Sequence, residues 1–279
     1  MKNFKNKVVV ITGAGSGIGR ALALNFAGKG ARLALSDVNE TGLVETASLA
    51  QKAGAPDVHT AHLDVADREG FVAYAADVAA HFGQVNIVIN NAGVALAGDV
   101  TDLSYKDMDW IVGINFWGVV HGTKEFLPHL IASGDGHLVN ISSLFGLLSI
   151  PGQSAYNATK YAVRGFSEAL REEMLISKHP VGVTVVHPGG IKTEIARNAR
   201  VTESEDKDAT AKVFDKLATM GPDKAAKIIL KGVKKNQARV LVGLDAHALH
   251  AFAKFSGSRY QDIVALSSKQ MLKATKKKH

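Results

Sequence analysis

The segment from Lys7 to Asp37 constrains this chain more than any other. Lys7 to Thr12 (KVVVIT) is a β-branched run with no polar–apolar alternation, as in a strand buried on both faces of a parallel sheet. It runs straight into Gly13-Ala14-Gly15-Ser16-Gly17-Ile18-Gly19 and then a helical pattern from Arg20 to Lys29. A second apolar strand, Arg32 to Ser36, ends at Asp37. Strand, glycine turn, helix, strand and acid follow in the order that a dinucleotide-binding βαβ unit requires. The glycines let the backbone approach a pyrophosphate, and the helix N-terminus offers it free N–H groups and a positive dipole end. Asp37, 18 residues past Gly19, is placed to accept hydrogen bonds from the adenosine ribose hydroxyls. A carboxylate there repels a 2′-phosphate, and the next residue is Val38 rather than Arg or Lys. NAD(H) is therefore favoured, with NADP(H) left open.

The alternation continues. Strands are expected at Val58 to Leu63, Asn86 to Asn90, His137 to Ile141, Val181 to Val186 and Arg239 to Val242. Between them lie helical patterns from Asp67 to Phe82, Ser104 to Ile131 (bent near Pro128), Ser154 to Lys178 and Asp223 to Lys235. Seven strands alternating with helices, and no break in composition, predict one α/β domain over residues 1–243. Its expected form is a Rossmann-type, doubly wound, seven-stranded parallel sheet with helices on both faces. Ligands are expected beyond the carboxyl ends of the strands. Residues 190–220 are polar and weakly patterned, and read as a mobile substrate lid. Residues 244–279 form a basic C-terminal extension.

Composition narrows the function classes. No cysteine is present, which excludes disulfides, thiolate metal sites and a Cys nucleophile. No apolar stretch is long enough for a membrane span, and the basic N-terminus (Lys2, Lys5, Lys7) precedes only a short apolar run, so a soluble cytoplasmic protein is expected. The extension supplies +5 of the net +7 charge, leaving the body nearly balanced. No basic groove interleaved with aromatics is visible, which argues against nucleic acid. The terminal Lys276-Lys277-Lys278-His279 reads as a frayed, solvated end. Ala246 to Phe255 predicts an amphipathic helix, with Leu249, Phe252, Ala253 and Phe255 to one side, packing over the cleft or on another subunit. Contact with a membrane surface is disfavoured. His247 with His250, and His59 with His62, have a metal-compatible spacing but no third ligand, so no metal is expected.

Chemistry concentrates between Asn140 and Lys160. Tyr156 and Lys160 lie one helical turn apart on one face. A Lys beside a Tyr stabilises the phenolate and lowers a pKa that is otherwise about 10, as acid–base work near neutral pH needs. Ser143, at the mouth of the preceding strand, is placed to reach the same point. Alone, Tyr-x-x-x-Lys is weak, because both residues suit an exposed helix face.

Together with Thr12-Gly13-x-x-x-Gly17-x-Gly19, the pattern resembles the short-chain dehydrogenase/reductase family, in its classical branch. Asp64-Val65, Asn91-Ala92-Gly93, Asn115, Ser143, Tyr156-Asn157-Ala158-Thr159-Lys160 and Pro188-Gly189 with Thr193 match that family in order, over residues 5–243. Ser143 precedes Tyr156 by 13 residues, the family's spacing, and is chosen over Ser142 for that reason.

The resemblance implies an NAD(P)-dependent oxidoreductase acting on a secondary alcohol or ketone. Tyr156 would be its acid–base residue, Lys160 would tune Tyr156 and hold the nicotinamide ribose, and Ser143 would orient the reacting oxygen. Asn115 would anchor a water leading protons from Lys160, against the bland reading that it braces a helix kink. Asp64 and Val65 would contact adenine, and Asn91, Ala92 and Gly93 would line the adenosine side. Pro188, Gly189, Ile191 and Thr193 would hold the carboxamide, and a homodimer or homotetramer would form through the two long central helices. Candidate pocket residues, among them Val94, Leu96, Phe145, Leu148, Gln153 and Ile195, are mostly apolar and predict a hydrophobic small-molecule substrate. Two alternatives compete. Enoyl reduction is disfavoured by the Tyr–Lys spacing, and a non-catalytic nucleotide sensor or scaffold would be expected to lack Ser143, Tyr156 or Lys160.

Overall fold

The computed structural model describes residues 3–275; Lys2 and the Lys276–His279 end lie outside the described residues. In chain order the elements are β1 Val8–Thr12, α1 Gly17–Ala27, β2 Arg32–Asp37, α2 Glu40–Ala53, β3 Val58–His62, α3 Arg68–Phe82, β4 Ile87–Asn90 and β5 Leu96–Ala97. There follow α4 Tyr105–Val112, α5 Gly118–Ala132, β6 Gly136–Ile141, α6 Ser154–Ile176, β7 Val181–Pro188 and β8 Arg200–Val201. The last are α7 Lys207–Leu217, α8 Pro222–Lys234, β9 Arg239–Val242, α9 Leu244–Ser256 and α10 Tyr260–Thr275.

Seven parallel strands form one sheet, as expected, and their order is β3-β2-β1-β4-β6-β7-β9. The order reverses between β1 and β4, so a crevice opens there at the carboxyl ends of the strands. The central strands bury both faces, whereas the edge strands β3 and β9 do not. Val9 and Ile11 of β1 join a core shared with α1, α2 and α8, while Val8 and Val10 join one shared with α3, α5 and α6. That two-sided burial is why KVVVIT carries no alternation.

A polar ladder crosses the second core. Asn90 Nδ2 donates to Asn140 Oδ1 (2.9 Å), Asn140 Nδ2 to Ser167 Oγ (3.0 Å), and Ser167 Oγ to the Val163 carbonyl (2.7 Å). A helix held by apolar contacts alone can slide along a sheet. Buried polar groups must keep their partners, and so this ladder fixes α6 against β4 and β6.

Three expectations are corrected. The long helix is interrupted not at Pro128, which lies within α5, but at Gly113–Trp117, a π-helical turn. The turn inserts where Asn115 is tied to the neighbouring chain (below). Secondly, residues 194–220, weakly patterned in sequence, carry regular structure. β8 pairs with β5, α7 follows, and Arg197 bonds Glu194 and Asp215. Arg200 stacks on Trp110 at 3.7 Å. Apart from Arg197–Glu194, these are long-range contacts that no local pattern records.

Thirdly, α9 exists as expected, but Phe255 is 87% exposed and Leu249 also faces outward; Ala246 and Ala253 form its buried side. With Tyr260, these alanines pack on Leu144 and Leu148, so Leu148 belongs to a core with the extension rather than to a pocket.

Candidate active site

The turn after β1 is built for close approach. Gly13 and Gly17 adopt φ of +65° and +54°, the left-handed region. A Cβ on Gly19 would stand 2.0 Å from the Gly13 carbonyl oxygen, so only glycine lets α1 pack against the turn. Ser16, extended before α1, makes no side-chain cap, and the first N–H groups of the helix are left for an anion. Ile18 packs inward against the first core. Asp37 braces the turn. Its Oδ2 accepts from Gly15 N (2.7 Å) and its Oδ1 from Asn39 N (2.9 Å).

The side chain of Asn91 clamps this turn from the next strand. Nδ2 donates to the carbonyls of Thr12 (2.9 Å) and Gly13 (3.0 Å), while Thr12 Oγ1 accepts from the N–H of Asn91 and of Ala92. Gly93 then lies beside Asn115 and Lys160, since a Cβ on it would meet Asn115 Oδ1 at 3.2 Å and Lys160 Nζ at 3.4 Å. Asp64 is exposed, with Oδ1 accepting from Ala66 N (2.9 Å). Val65 is buried against Gly118, which leaves only its backbone for the crevice, and its carbonyl meets His121 Nδ1 (3.0 Å).

β6 and α6 bring the chemical groups together. Lys160 is buried, and its Nζ donates to the Ile141 carbonyl (3.2 Å) from 5.6 Å off the Tyr156 ring centroid. Ser142 Oγ donates to the Lys160 carbonyl (2.8 Å), and so the neighbouring Ser143 is the one free to face Tyr156. Ser143 Oγ accepts from Phe145 N (3.1 Å), which points its own hydrogen elsewhere. The Tyr156 phenol is held above its ordinary pKa by burial, and the Ser143 hydroxyl bonded to it pulls the other way. Burial also brings Lys160 down to about 8. In the protein alone the net position of the Tyr156 pKa is upward, because desolvation dominates.

Asn115 is fully buried in the π-helical turn. Its Oδ1 accepts from Val94 N (2.8 Å), and its Nδ2 donates to Val94 O (2.9 Å) and Thr159 Oγ1 (3.3 Å). Its amide braces the segment after β4 against α6.

The loop after β7 closes the far side. Pro188 ends the strand, Gly189 N donates to Val242 O (2.9 Å), and buried Ile191 bridges to Met220. Thr193 faces the glycine turn, with its Cγ2 3.2 Å from where a Gly17 Cβ would be.

Three residues here escaped sequence reasoning. Asp245 Oδ2 accepts from Gly190 N (2.7 Å), fully buried His187 donates from Nδ1 to the Ser143 carbonyl (2.8 Å), and Tyr260 Oη accepts from Ser149 N (3.1 Å). His187 adjoins the Pro-Gly motif and carried that signal; Asp245 and Tyr260 lie in the extension, where nothing flagged them.

Around Tyr156 the wall is apolar. Phe145 meets its ring edge-on at 6.3 Å, and Leu96, Ile111, Val94, Met108 and Trp110 complete the cluster. Gln153 stands at the start of α6, half-buried. A groove of about 650 Å³ lies apart from these groups, between Ser149–Pro151, the outer face of α6 and Tyr260–Ala265. Among the described residues no group of three His, Asp or Glu side chains could hold a metal; His59 bonds Asp77 and His62 faces Glu40.

The short chain dehydrogenase family profile matches residues 7–204. SadH of Mycobacterium tuberculosis, named as an oxidoreductase, is 60% identical over 266 residues, which are 95% of this chain and 96% of SadH. Human epidermal retinol dehydrogenase 2 is 41% identical over 193 residues, 69% of this chain and 62% of that protein. A short-chain dehydrogenase/reductase from Burkholderia phymatum, solved in complex with NAD, superposes with a TM-score of 0.86 at 30% identity, covering 94% of this chain and 97% of that one. Profile, relatives and superposition agree with one another: this chain belongs to the short-chain dehydrogenase/reductase family.

Proposed function

We propose that this chain is an NAD(P)-dependent alcohol dehydrogenase or carbonyl reductase that interconverts a hydrophobic secondary alcohol and its ketone. The observation that carries the reading is the meeting of Ser143, Tyr156 and Lys160 in one buried place beside the glycine turn. Uncapped N–H groups at α1 and a turn that tolerates no Cβ at Gly19 fit a dinucleotide. When bound, the nicotinamide supplies or accepts the hydride. Gly13, Ser16, Gly17, Ile18 and Gly19 would hold the pyrophosphate, Asp37 the adenosine ribose, and Asp64 with the Val65 backbone the adenine. Ala92 and Gly93 would flank the sugars, Tyr156 and Lys160 the nicotinamide ribose, and Pro188, Gly189, Ile191 and Thr193 the carboxamide. Asp37 favours NAD(H) for the charge reason given above.

In the reducing direction Tyr156 Oη gives its proton to the substrate oxygen; in the oxidising direction its phenolate, which Lys160 favours, takes the hydroxyl proton. Its raised pKa keeps that proton in place at neutral pH. Ser143 Oγ, already accepting from Phe145 N, donates to the same oxygen. Lys160, at about 8, stays largely cationic at neutral pH and favours the phenolate once it forms. Asn115 sets the segment through which a water could lead protons away from Lys160. Phe145, Gln153 and the cluster around Tyr156 would bind the substrate, with residues 190–220 opening to admit it. We also infer one catalytic unit over residues 1–243 with 244–279 as an extension, and a homodimer or homotetramer through α5 and α6, with Trp117 exposed at the end of the π-helical turn before α5.

Nicotinamide absorbance tests the reading. A panel of hydrophobic secondary alcohols is offered with NAD⁺ and with NADP⁺, and Tyr156→Phe serves as control. Turnover that the control lacks is expected. Tight NADH binding with no turnover on any alcohol or ketone would favour a nucleotide sensor instead.

A further inference from the structure

We propose that Asp245 is a positioning residue that sets the Gly189–Thr193 loop for the nicotinamide end of the cofactor, making the C-terminal extension a working part of the site. The proposal rests on reading that loop as the nicotinamide loop. An acid in the first turn of a helix ordinarily serves the helix dipole. Asp245 reaches away from α9 instead, and its Oδ2 accepts from Gly190 N at 2.7 Å. Space for the carboxylate is kept by glycines. A Cβ on Gly189 would stand 2.2 Å from Oδ2, and one on Gly243 would stand 2.2 Å from Oδ1. Gly243 has φ +112°, so the chain turns sharply there to bring Asp245 back over the loop.

Gly190 is gripped on its other side too. Its carbonyl accepts from Thr219 N (3.1 Å) and Met220 N (3.3 Å), where the lid segment rejoins the body. The extension holds the N–H and the lid holds the C=O of one residue. Thr193, three residues on, borders Gly17 across the crevice. A shift at Gly190 therefore moves the wall facing the nicotinamide while leaving the pyrophosphate and adenosine contacts, which belong to β1, α1 and β2, in place.

The experiment compares NADH with ADP-ribose, which lacks the nicotinamide, by calorimetry on the full chain, Asp245→Ala and Asp245→Asn. Loss of a charge-assisted hydrogen bond predicts that Asp245→Ala weakens NADH by about 10-fold and ADP-ribose by less than about 2-fold. Asp245→Asn keeps an acceptor oxygen of the same shape and should recover most of the loss. Equal weakening of both ligands would mean a merely structural role and overturn the proposal, as would unchanged NADH affinity in Asp245→Ala. If the unaltered chain bound NADH no better than ADP-ribose, the reading of the loop would fail and the proposal with it.

Discussion

Lowering the pH from about 7 to 4 should destabilise the fold steeply, because two neutral histidines are built into it. His187 is fully buried, with Nδ1 donating to the Ser143 carbonyl (2.8 Å) and Nε2 without a partner among the described residues. A proton arriving at Nε2 would have nothing to bond. His137, buried in β6, lies 2.9 Å from Thr184 Oγ1 through Nε2. That hydroxyl donates to Gln237 O (2.6 Å), and so the imidazole must be the donor to it. Burial, the foremost cause in both, brings each from 6.5 down to about 4.

Between those values the unfolded chain binds more protons than the folded one, and stability falls as the pH drops. A gap of roughly 2.5 units at 1.36 kcal/mol per unit has a low-pH limit of about 3.4 kcal/mol for each histidine, of which about 3, or about 6 for the pair, is expressed by pH 4. A domain has about 5–15 kcal/mol in all. Urea unfolding followed by circular dichroism at about pH 7, 6 and 5 gives the slope. Uptake of about 1.8 protons on unfolding between pH 5 and 6 is expected, or about 2.4 kcal/mol per pH unit. His187→Asn, whose amide can still donate to the Ser143 carbonyl, should remove about half of that slope. Uptake of less than about one proton would refute the reasoning. Glu168 does not confuse the window. Although burial raises it, hydrogen bonds from Arg239 and Arg164 hold it below the usual carboxylate range.

Tyr156→Phe should lower kcat by more than about 100-fold while NADH affinity, read by calorimetry, changes little, since the phenol hydroxyl moves the proton. Replacing Asp37 by Ser should shift the NADP⁺ to NAD⁺ ratio of kcat/KM by about 10-fold or more toward NADP⁺; an unchanged ratio would sink the charge argument. Gly19→Ala places a Cβ 2.0 Å from a backbone oxygen and should abolish dinucleotide binding. Wild-type affinity in a folded Gly19→Ala protein would show that the turn is not the anion cradle.

The sheet was readable because its strands are continuous apolar runs and its turns carry glycine at positions that need it. Arg239–Val242, a four-residue strand at the sheet edge, was located to the residue. The chemical groups were readable because Tyr156 and Lys160 share a helix face and Ser143 lies at a strand end. What escaped depends on distance along the chain. The π-helical turn at Asn115 is set by Val94, 21 residues earlier, and β8 owes its existence to β5, a hundred residues away. Nor could the sequence give burial, which is why the Tyr156 pKa moves against the simple Tyr–Lys expectation. Phe255, read as an apolar contact, is exposed because the small residues Ala246 and Ala253 form the packing face of α9.

These misses share a cause that bears on how the site works. A catalytic constellation needs placement to fractions of an ångström, which apolar packing alone does not give to a helix lying on a sheet. Here α6 is registered by the Asn90–Asn140–Ser167 ladder in mid-helix, and then by two bonds at Lys160. Ser142 Oγ holds its carbonyl, and its own Nζ holds the carbonyl of Ile141. Asn115 ties the segment after β4 to the same helix through Thr159. His187 ties the end of β7 to Ser143, and Asp245 ties the extension to Gly190. Each link is a buried or half-buried polar group whose partner comes from a different element, so breaking one leaves the other uncompensated in a low-dielectric setting. The position of Tyr156 is thus set less by the motif that carries it than by polar bonds reaching α6 from β4, β6 and the Asn115 turn, with Ser143 and the Gly190 loop fixed separately by His187 and Asp245.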